Sequence, residues 1–269
     1  MKSKKMITAL VVGAGAVENA WAPVLRALQS YHDFPLTADG ANAFLARAVY
    51  LLRWWASDNS DRGRNELEKL MALLAQMRNA ICAELVLAQK ANEIRVRREF
   101  ASIVDAMLIQ HNTEFMLVTT NWDDVVGNAL SSYLNRTVDC KVLPLHIHGS
   151  IRDAHTLYLP TEVTKEPYRS REEEKAIGGL HGSIWRGLER AHRVVIYGLS
   201  LSPLDAELGQ TLACGFSNNN LKEVCIVAPD HEQIAHKVNL LLDRKREIAI
   251  KGYEPCNLGK AHDYTVRRR

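Results

Sequence analysis

Asn121, Asp123, His146 and His148 are the side chains best suited to do chemistry, and each follows a short apolar run. Phe115–Thr120 leads into Thr119-Thr120-Asn121-Trp122-Asp123, and Lys141–His146 leads into His146-Ile147-His148-Gly149-Ser150. An imidazole can accept a proton near neutral pH. A side-chain amide can orient a water or a sugar hydroxyl, and a carboxylate can offset a growing positive charge. Plainer roles exist for each: Asn121 as a helix cap, Asp123 as a first-turn charge that favours the helix dipole, His148 as a structural histidine. Two residues apart on an extended segment, His146 and His148 would point their rings the same way. No third ligand with suitable spacing accompanies them, so no metal is expected.

Three more apolar runs end in small or polar residues. Ile7–Val12 ends in Gly13-Ala14-Gly15, and Glu223–Val227 ends in Ala228-Pro229-Asp230. Arg193–Tyr197 ends in Gly198-Leu199-Ser200-Leu201-Ser202-Pro203-Leu204-Asp205. Gly-Ala-Gly before a helix lets the backbone approach a pyrophosphate, with the helix N-terminus favouring negative charge; a tight turn is the simpler reading. The third glycine of a dinucleotide fingerprint is replaced by Glu18, which argues against a dehydrogenase.

The elements that must carry these residues alternate. The five apolar runs read as strands, with a last short one at Glu247–Ile250. Helices are predicted after Gly15, over Trp122–Tyr133, over Arg171–His192 with a possible break at Gly178-Gly179, after Pro203, and over His231–Leu242. Residues 41–110 read almost wholly as helix, interrupted at Asn59–Gly63. The expected fold is α/β: one domain over residues 1–269, a Rossmann-like, mostly parallel sheet with helices on both faces, and a helical insertion (41–110) after the first βα unit. In such a sheet, ligands bind outside the carboxyl ends of the strands.

Bulk properties narrow the classes. The chain has 269 residues, 47% hydrophobic and 24% charged, enough to bury a sizeable core. A net charge of +3 is too mild to imply direct nucleic-acid binding. The basic group Lys90, Arg95, Arg97 and Arg98 reads as a solvated helical face, as does Arg244-Lys245-Arg246, and Arg267–Arg269 as a solvated tail. Trp54 and Trp55 read as core or subunit contact. Cys82, Cys140, Cys214, Cys225 and Cys256 are scattered, with no CxxC, so neither a disulfide framework nor a zinc site is expected and a cytoplasmic location is. Lys2, Lys4 and Lys5 before an apolar run, with Ala20-Trp21-Ala22 after it, imitate a signal peptide; a buried first strand is preferred. No apolar stretch reads as long enough to span a bilayer.

In order, Gly13-Ala14-Gly15, Thr119–Asp123, His148-Gly149-Ser150 and Gly198-Leu199-Ser200 with Asp205 resemble the motifs of SIR2-like (sirtuin-like) domains. The resemblance spans the strand ends but not the helical insertion. It departs from the sirtuin deacylases: there are no zinc cysteines, no Pro-Asp-Phe-Arg segment, and Ala16-Val17-Glu18-Asn19 lacks the usual serine. These absences resemble the SIR2-like domains of bacterial antiphage defence, which cleave NAD to nicotinamide and ADP-ribose. That resemblance implies Asn121 and His148 as the catalytic pair. It implies Gly13, Ala14, Gly15, Thr120, Asp123, Gly149, Gly198, Ser200 and Asp205 as NAD-binding residues, with Ala228-Pro229-Asp230 near the adenine. NAD is then substrate, without a metal. A regulated NAD glycohydrolase acting by abortive infection is expected. Because no sensor domain is evident, control is expected from homo-oligomerisation or a separate partner such as an ATPase or an Argonaute-like protein, without membrane contact. The alternative is a non-catalytic NAD- or ADP-ribose-binding subunit; a protein deacylase stands further off.

Overall fold

The computed structural model describes residues 6–32, 37–111, 114–135, 142–242 and 247–266. Lys2, Lys4, Lys5, Cys140, Lys141, Arg244–Arg246 and Arg267–Arg269, read above, lie outside the described residues. The strands are β1 (Ile7–Val12), β2 (Val17–Glu18), β3 (Arg95–Val96), β4 (Glu114–Thr119), β5 (Leu145–His146), β6 (Arg193–Tyr197), β7 (Glu223–Val227), β8 (Ala249–Glu254) and β9 (Asn257–Asp263). The helices are α1 (Ala22–Leu28), α2 (Ala38–Ala56), α3 (Asp61–Lys90), α4 (Phe100–Val104, continued as a π-helical turn to Ile109), α5 (Val125–Leu134), α6 (Arg171–Arg190), α7 (Ala206–Phe216) and α8 (His231–Leu241).

The main sheet has seven strands in the order β5-β4-β1-β6-β7-β8-β9, all parallel except the β8–β9 pair. Without β9, the chain order across the sheet is that of a Rossmann fold, with the reversal of direction between β1 and β6. Central strands of such a sheet are buried on both faces and read as unbroken apolar runs. Accordingly, Leu10 and Val12 of β1 join one core with α1 to α5, while Ala9 and Val11 join another with α6, α7 and α8. The inserted helices thus share the core of one sheet face.

Several boundaries differ from the sequence expectations. Ser60 caps α3 by accepting from Gly63 N–H, so helix resumes inside the stretch read as a break. Helix α6 runs through Gly178-Gly179, started by a capping box of Ser170 and Glu173. Pro203 does not open α7; Asp205 caps it, accepting from Leu208 N–H at 3.2 Å. The last strand is longer than expected and turns back as β9, a polar edge strand. Trp54 is 69% exposed and is no core residue.

Helix α3 overturns the reading that no segment could span a bilayer by length and composition: it holds an 18-residue window of mean hydropathy 1.5. Leu74, Met77, Ile81, Leu85 and Ala88 on its inner face nevertheless belong to the core beside the sheet. Two of its charges are matched within the fold, Arg78 by Glu162 and Glu84 by Arg26.

Candidate active site

The carboxyl ends of β1, β4, β5, β6 and β7 open on one cavity of about 510 Å³, within the range of about 300–1,000 Å³ usual for small-molecule sites. Of the residues singled out from sequence, Ala14, Gly15, Thr120, Asn121, Asp123, His148, Gly198, Ser200 and Asp205 line it, as do Ala228, Pro229 and Asp230. Gly13 and Gly149 do not.

The two glycine turns lock into each other. Gly13 N–H donates to Tyr197 O at 3.0 Å, Gly15 N–H to Gly198 O at 2.9 Å, and Ala16 N–H to Gly13 O at 3.0 Å. A Cβ on Gly13 would lie 2.5 Å from Leu199 Cδ2, and one on Gly198, whose φ is +64°, 2.3 Å from Ala16 N. Glycine is therefore required here by turn-on-turn packing. Three of the amides at the turn, those of Gly13, Gly15 and Ala16, thus already donate inside the protein. The turn holds one 3₁₀ turn over Ala14–Ala16, and the next α-helix, α1, begins only at Ala22, so no α-helix N-terminus follows the turn directly. Gly149, at φ +72°, serves the turn that carries His148: a Cβ there would lie 1.9 Å from Thr156 O.

Asn121 is held by its backbone and left open at its side chain. Its N–H donates to Thr119 Oγ1 at 3.0 Å, and its carbonyl accepts from His146 Nδ1 at 2.8 Å. The residue is 6% exposed, yet neither atom of its amide has a hydrogen-bond partner. Buried polar groups are nearly always paired, and leaving one unpaired costs about 1–3 kcal/mol. An amide in this state, on a cavity wall, is poised for a ligand. The Thr161 hydroxyl, on the opposite part of the chain but in the same lining, is also buried without a partner. Thr161 has φ +72°, strained for a β-branched residue.

His146 does not share a site with His148. β5 stops at His146 and the chain turns, so the period-two rule no longer applies. Burial holds the His146 ring below the usual histidine range despite its bond to Asn121. Its Nε2 lies 3.3 Å from Asp124 but out of hydrogen-bonding geometry, and Arg152 takes that carboxylate instead. Among the described residues, no three His, Cys, Asp or Glu side chains are placed to hold a metal ion.

His148 Nε2 meets Asp205 Oδ1 at 3.0 Å, and its ring stacks on Tyr158 with centroids 5.9 Å apart. Burial opposes its charged form, but Asp205, the Thr120 carbonyl and Glu207 outweigh burial and raise its pKa above the ordinary value. With acceptors on both sides, the doubly protonated ring is the one that satisfies both. Asp123 is the converse. Burial pushes its pKa up to about 6, opposed by Val125 N–H, which donates to Oδ1 at 2.9 Å. It lies before α5 in a turn, not in the first helical turn.

Asp123 yields a stability prediction with a definite sign. The fold binds this proton more tightly than the unfolded chain, whose aspartate titrates near 3.8. The favourable contribution is complete only well below the unfolded value of 3.8 and is lost progressively as pH rises from there to about 6. The loss is about 3 kcal/mol. Asp123→Asn keeps an acceptor for Val125 and cannot ionise. It is expected to stabilise the protein by up to about 3 kcal/mol at pH 7.5 and hardly at all near pH 3, below the unfolded aspartate value. Urea midpoints at both pH values test this; an equal shift at the two would refute it.

Sequence reading missed several lining residues, among them Trp21, Asn42, Arg97, Tyr158, Thr161 and Tyr197. Arg97 is the sharpest miss. It stands on no helix but just past β3, with its N–H on Ala16 O at 3.0 Å and its Nε on Gly15 O at 2.6 Å. Asn92, at φ +54° beyond the end of α3, was the available signal that helix had ended.

Comparison with protein-family models, with curated proteins and with solved structures returns no match for this chain.

Proposed function

We propose that the cavity binds NAD and that the protein hydrolyses its nicotinamide–ribose bond, giving nicotinamide and ADP-ribose. The observation that carries this reading is the buried, unpartnered amide of Asn121 in the same lining as Asp123 and the His148–Asp205 pair. As the C1′–N bond breaks, its electron pair goes to the pyridinium nitrogen, a leaving group that needs no acid. The ribose becomes cationic and oxocarbenium-like, as in other glycoside cleavage. Asn121 orients the water or the ribose hydroxyls; Asp123 binds the carboxamide or offsets the cation. Water adds at C1′ and gives its proton to neutral His148, which requires the ring first to lose a proton to solvent and, with it, one of its two acceptors. Gly198 and Ser200 are assigned to the adenosine side, with Ala228, Pro229 and Asp230 nearest the adenine.

That requirement gives the alternative its own support. With both ring nitrogens engaged, His148 is no base in this state, as suits a subunit that binds NAD or ADP-ribose without turnover. It equally suits an enzyme restrained until triggered. From the motif resemblance we propose the latter: an antiphage effector that depletes NAD in abortive infection, controlled by self-association or by an ATPase or Argonaute-like partner. Purified protein is incubated with NAD and the products resolved by chromatography, with Asn121→Ala beside it. Nicotinamide and ADP-ribose should appear with the parent and fall to background with a variant that still folds. NAD binding without products would leave the binding subunit and an enzyme still restrained as the two readings; neither binding nor products would end the NAD reading.

A further inference from the structure

We infer that Arg97 is the contact for the anionic part of the ligand, in place of the glycine-turn amides. The inference rests on the NAD reading for its ligand, a nucleoside diphosphate such as ADP-ribose. It rests on the structure for its residue.

The need comes first. A diphosphate brought to the Gly13–Gly15 turn finds the N–H groups of Gly13, Gly15 and Ala16 already donated to Tyr197, Gly198 and Gly13 carbonyls. The cavity wall is otherwise unfavourable to an anion: Asp39, Glu99, Asp123 and Asp230 line it, besides Glu162 and Asp205, which are matched by Arg78 and Arg169 and by His148. Among the described residues, Arg97 is the only lysine or arginine in that lining.

Arg97 is also prepared for the task. Its main chain is tied to Ala16 O and its Nε to Gly15 O, so the guanidinium is fixed at both ends against the turn itself. Among the described residues no protein acceptor takes its two terminal nitrogens, and a guanidinium presents these as a parallel pair suited to two phosphate oxygens. The neighbouring Arg95 is instead consumed by Glu18 at 2.7 Å. β3 exists to make this placement: it pairs with β2, which follows the glycine turn, and delivers residue 97 to the turn's edge. The charge layout then orients the ligand. Its anionic centre is drawn to the Gly15 edge by Arg97, and its cationic pyridinium toward the carboxylates on the rest of the lining.

The test is calorimetric titration of the full chain with ADP-ribose, at low and high salt, for the parent, Arg97→Gln and Arg97→Lys, with circular dichroism confirming that each folds. Losing a paired charged contact should raise Kd about tenfold to a hundredfold in Arg97→Gln. Parent affinity should fall with salt, and that dependence should flatten in Arg97→Gln. Arg97→Lys, which keeps charge but not the anchored fork, should fall between. Parent-like affinity and salt dependence in Arg97→Gln would overturn the assignment. If the parent binds neither ADP-ribose nor NAD, the NAD reading fails by itself and inorganic pyrophosphate becomes the probe. Pyrophosphate binding that Arg97→Gln abolishes would sustain the anion site, and no binding to the parent would overturn it too.

Discussion

His148→Ala is expected to lower NAD turnover by about 10²–10⁴-fold, with the fold and NAD affinity largely kept. The residue sits on a turn whose shape is set by Gly149 and Thr156 rather than by its ring, so the truncation leaves the backbone in place. The lost ring removes both the base and the face stacked on Tyr158. A pH profile separates this role from a structural one. Asp205 holds the imidazolium, and with Thr120 and Glu207 it raises the His148 pKa against the effect of burial. A base must be deprotonated to act, so activity should rise with pH through a limb above the ordinary histidine range. Asp205→Asn removes the main charge that stabilises the imidazolium, so the limb should move to lower pH. The asparagine can still cap α7 through its carbonyl, where Leu208 N–H donates. A limb unmoved by Asp205→Asn, or His148→Ala turning over like the parent, would remove His148 from the chemistry.

Strands β1, β4, β6 and β7 were legible because a strand buried on both faces must be apolar throughout, and such runs have few other readings. Their polar ends then gave the cavity wall, since a parallel sheet places all carboxyl ends together. What stayed hidden lacked that constraint. β5 has only two paired residues, too short for any pattern. β9 is polar because an edge strand facing solvent must avoid templating aggregation, and its sequence resembles a loop. The Gly13–Gly15 turn carries a second requirement for glycine that the sequence does not display, close contact with Gly198 and Leu199. Arg97 was hidden by its neighbours, because a run of arginines beside a long helix reads as the solvated face of that helix.

The segment from Leu157 to Arg169 was wholly illegible, being neither strand nor regular helix, yet it closes the cavity. Tyr158, Leu159, Pro160, Thr161 and Glu162 line it. Buried charge fixes the segment to the inserted helices. Glu162 meets Arg78 of α3 at 2.9 Å and Arg169 at 2.7 Å, and accepts from Tyr168 Oη at 2.9 Å and Leu159 N–H at 2.6 Å. Arg53 of α2 reaches both Glu166 and the Thr161 carbonyl. Glu162 itself is fully buried at its side chain.

A buried network of this kind contributes little over a well-packed apolar substitute, but removing one member leaves the others charged and unpaired. Glu162→Ala strands two guanidinium groups, a phenol and an amide at once. It is expected to cost about 3–5 kcal/mol of stability, read from urea unfolding. Glu162→Gln keeps acceptors for Tyr168 and Leu159 and should lose less. A triple change of Glu162, Arg78 and Arg169 to methionine, which leaves no orphaned charge, should recover much of the loss. The same variants report on the site. Arg169 lies 4.7 Å over the Tyr158 ring, and Tyr158 carries His148. Glu162→Ala should therefore weaken NAD binding, even under conditions where the protein is still folded. A stability change below about 1 kcal/mol would mean that water reaches the network, and that the segment over the cavity is held by apolar packing alone.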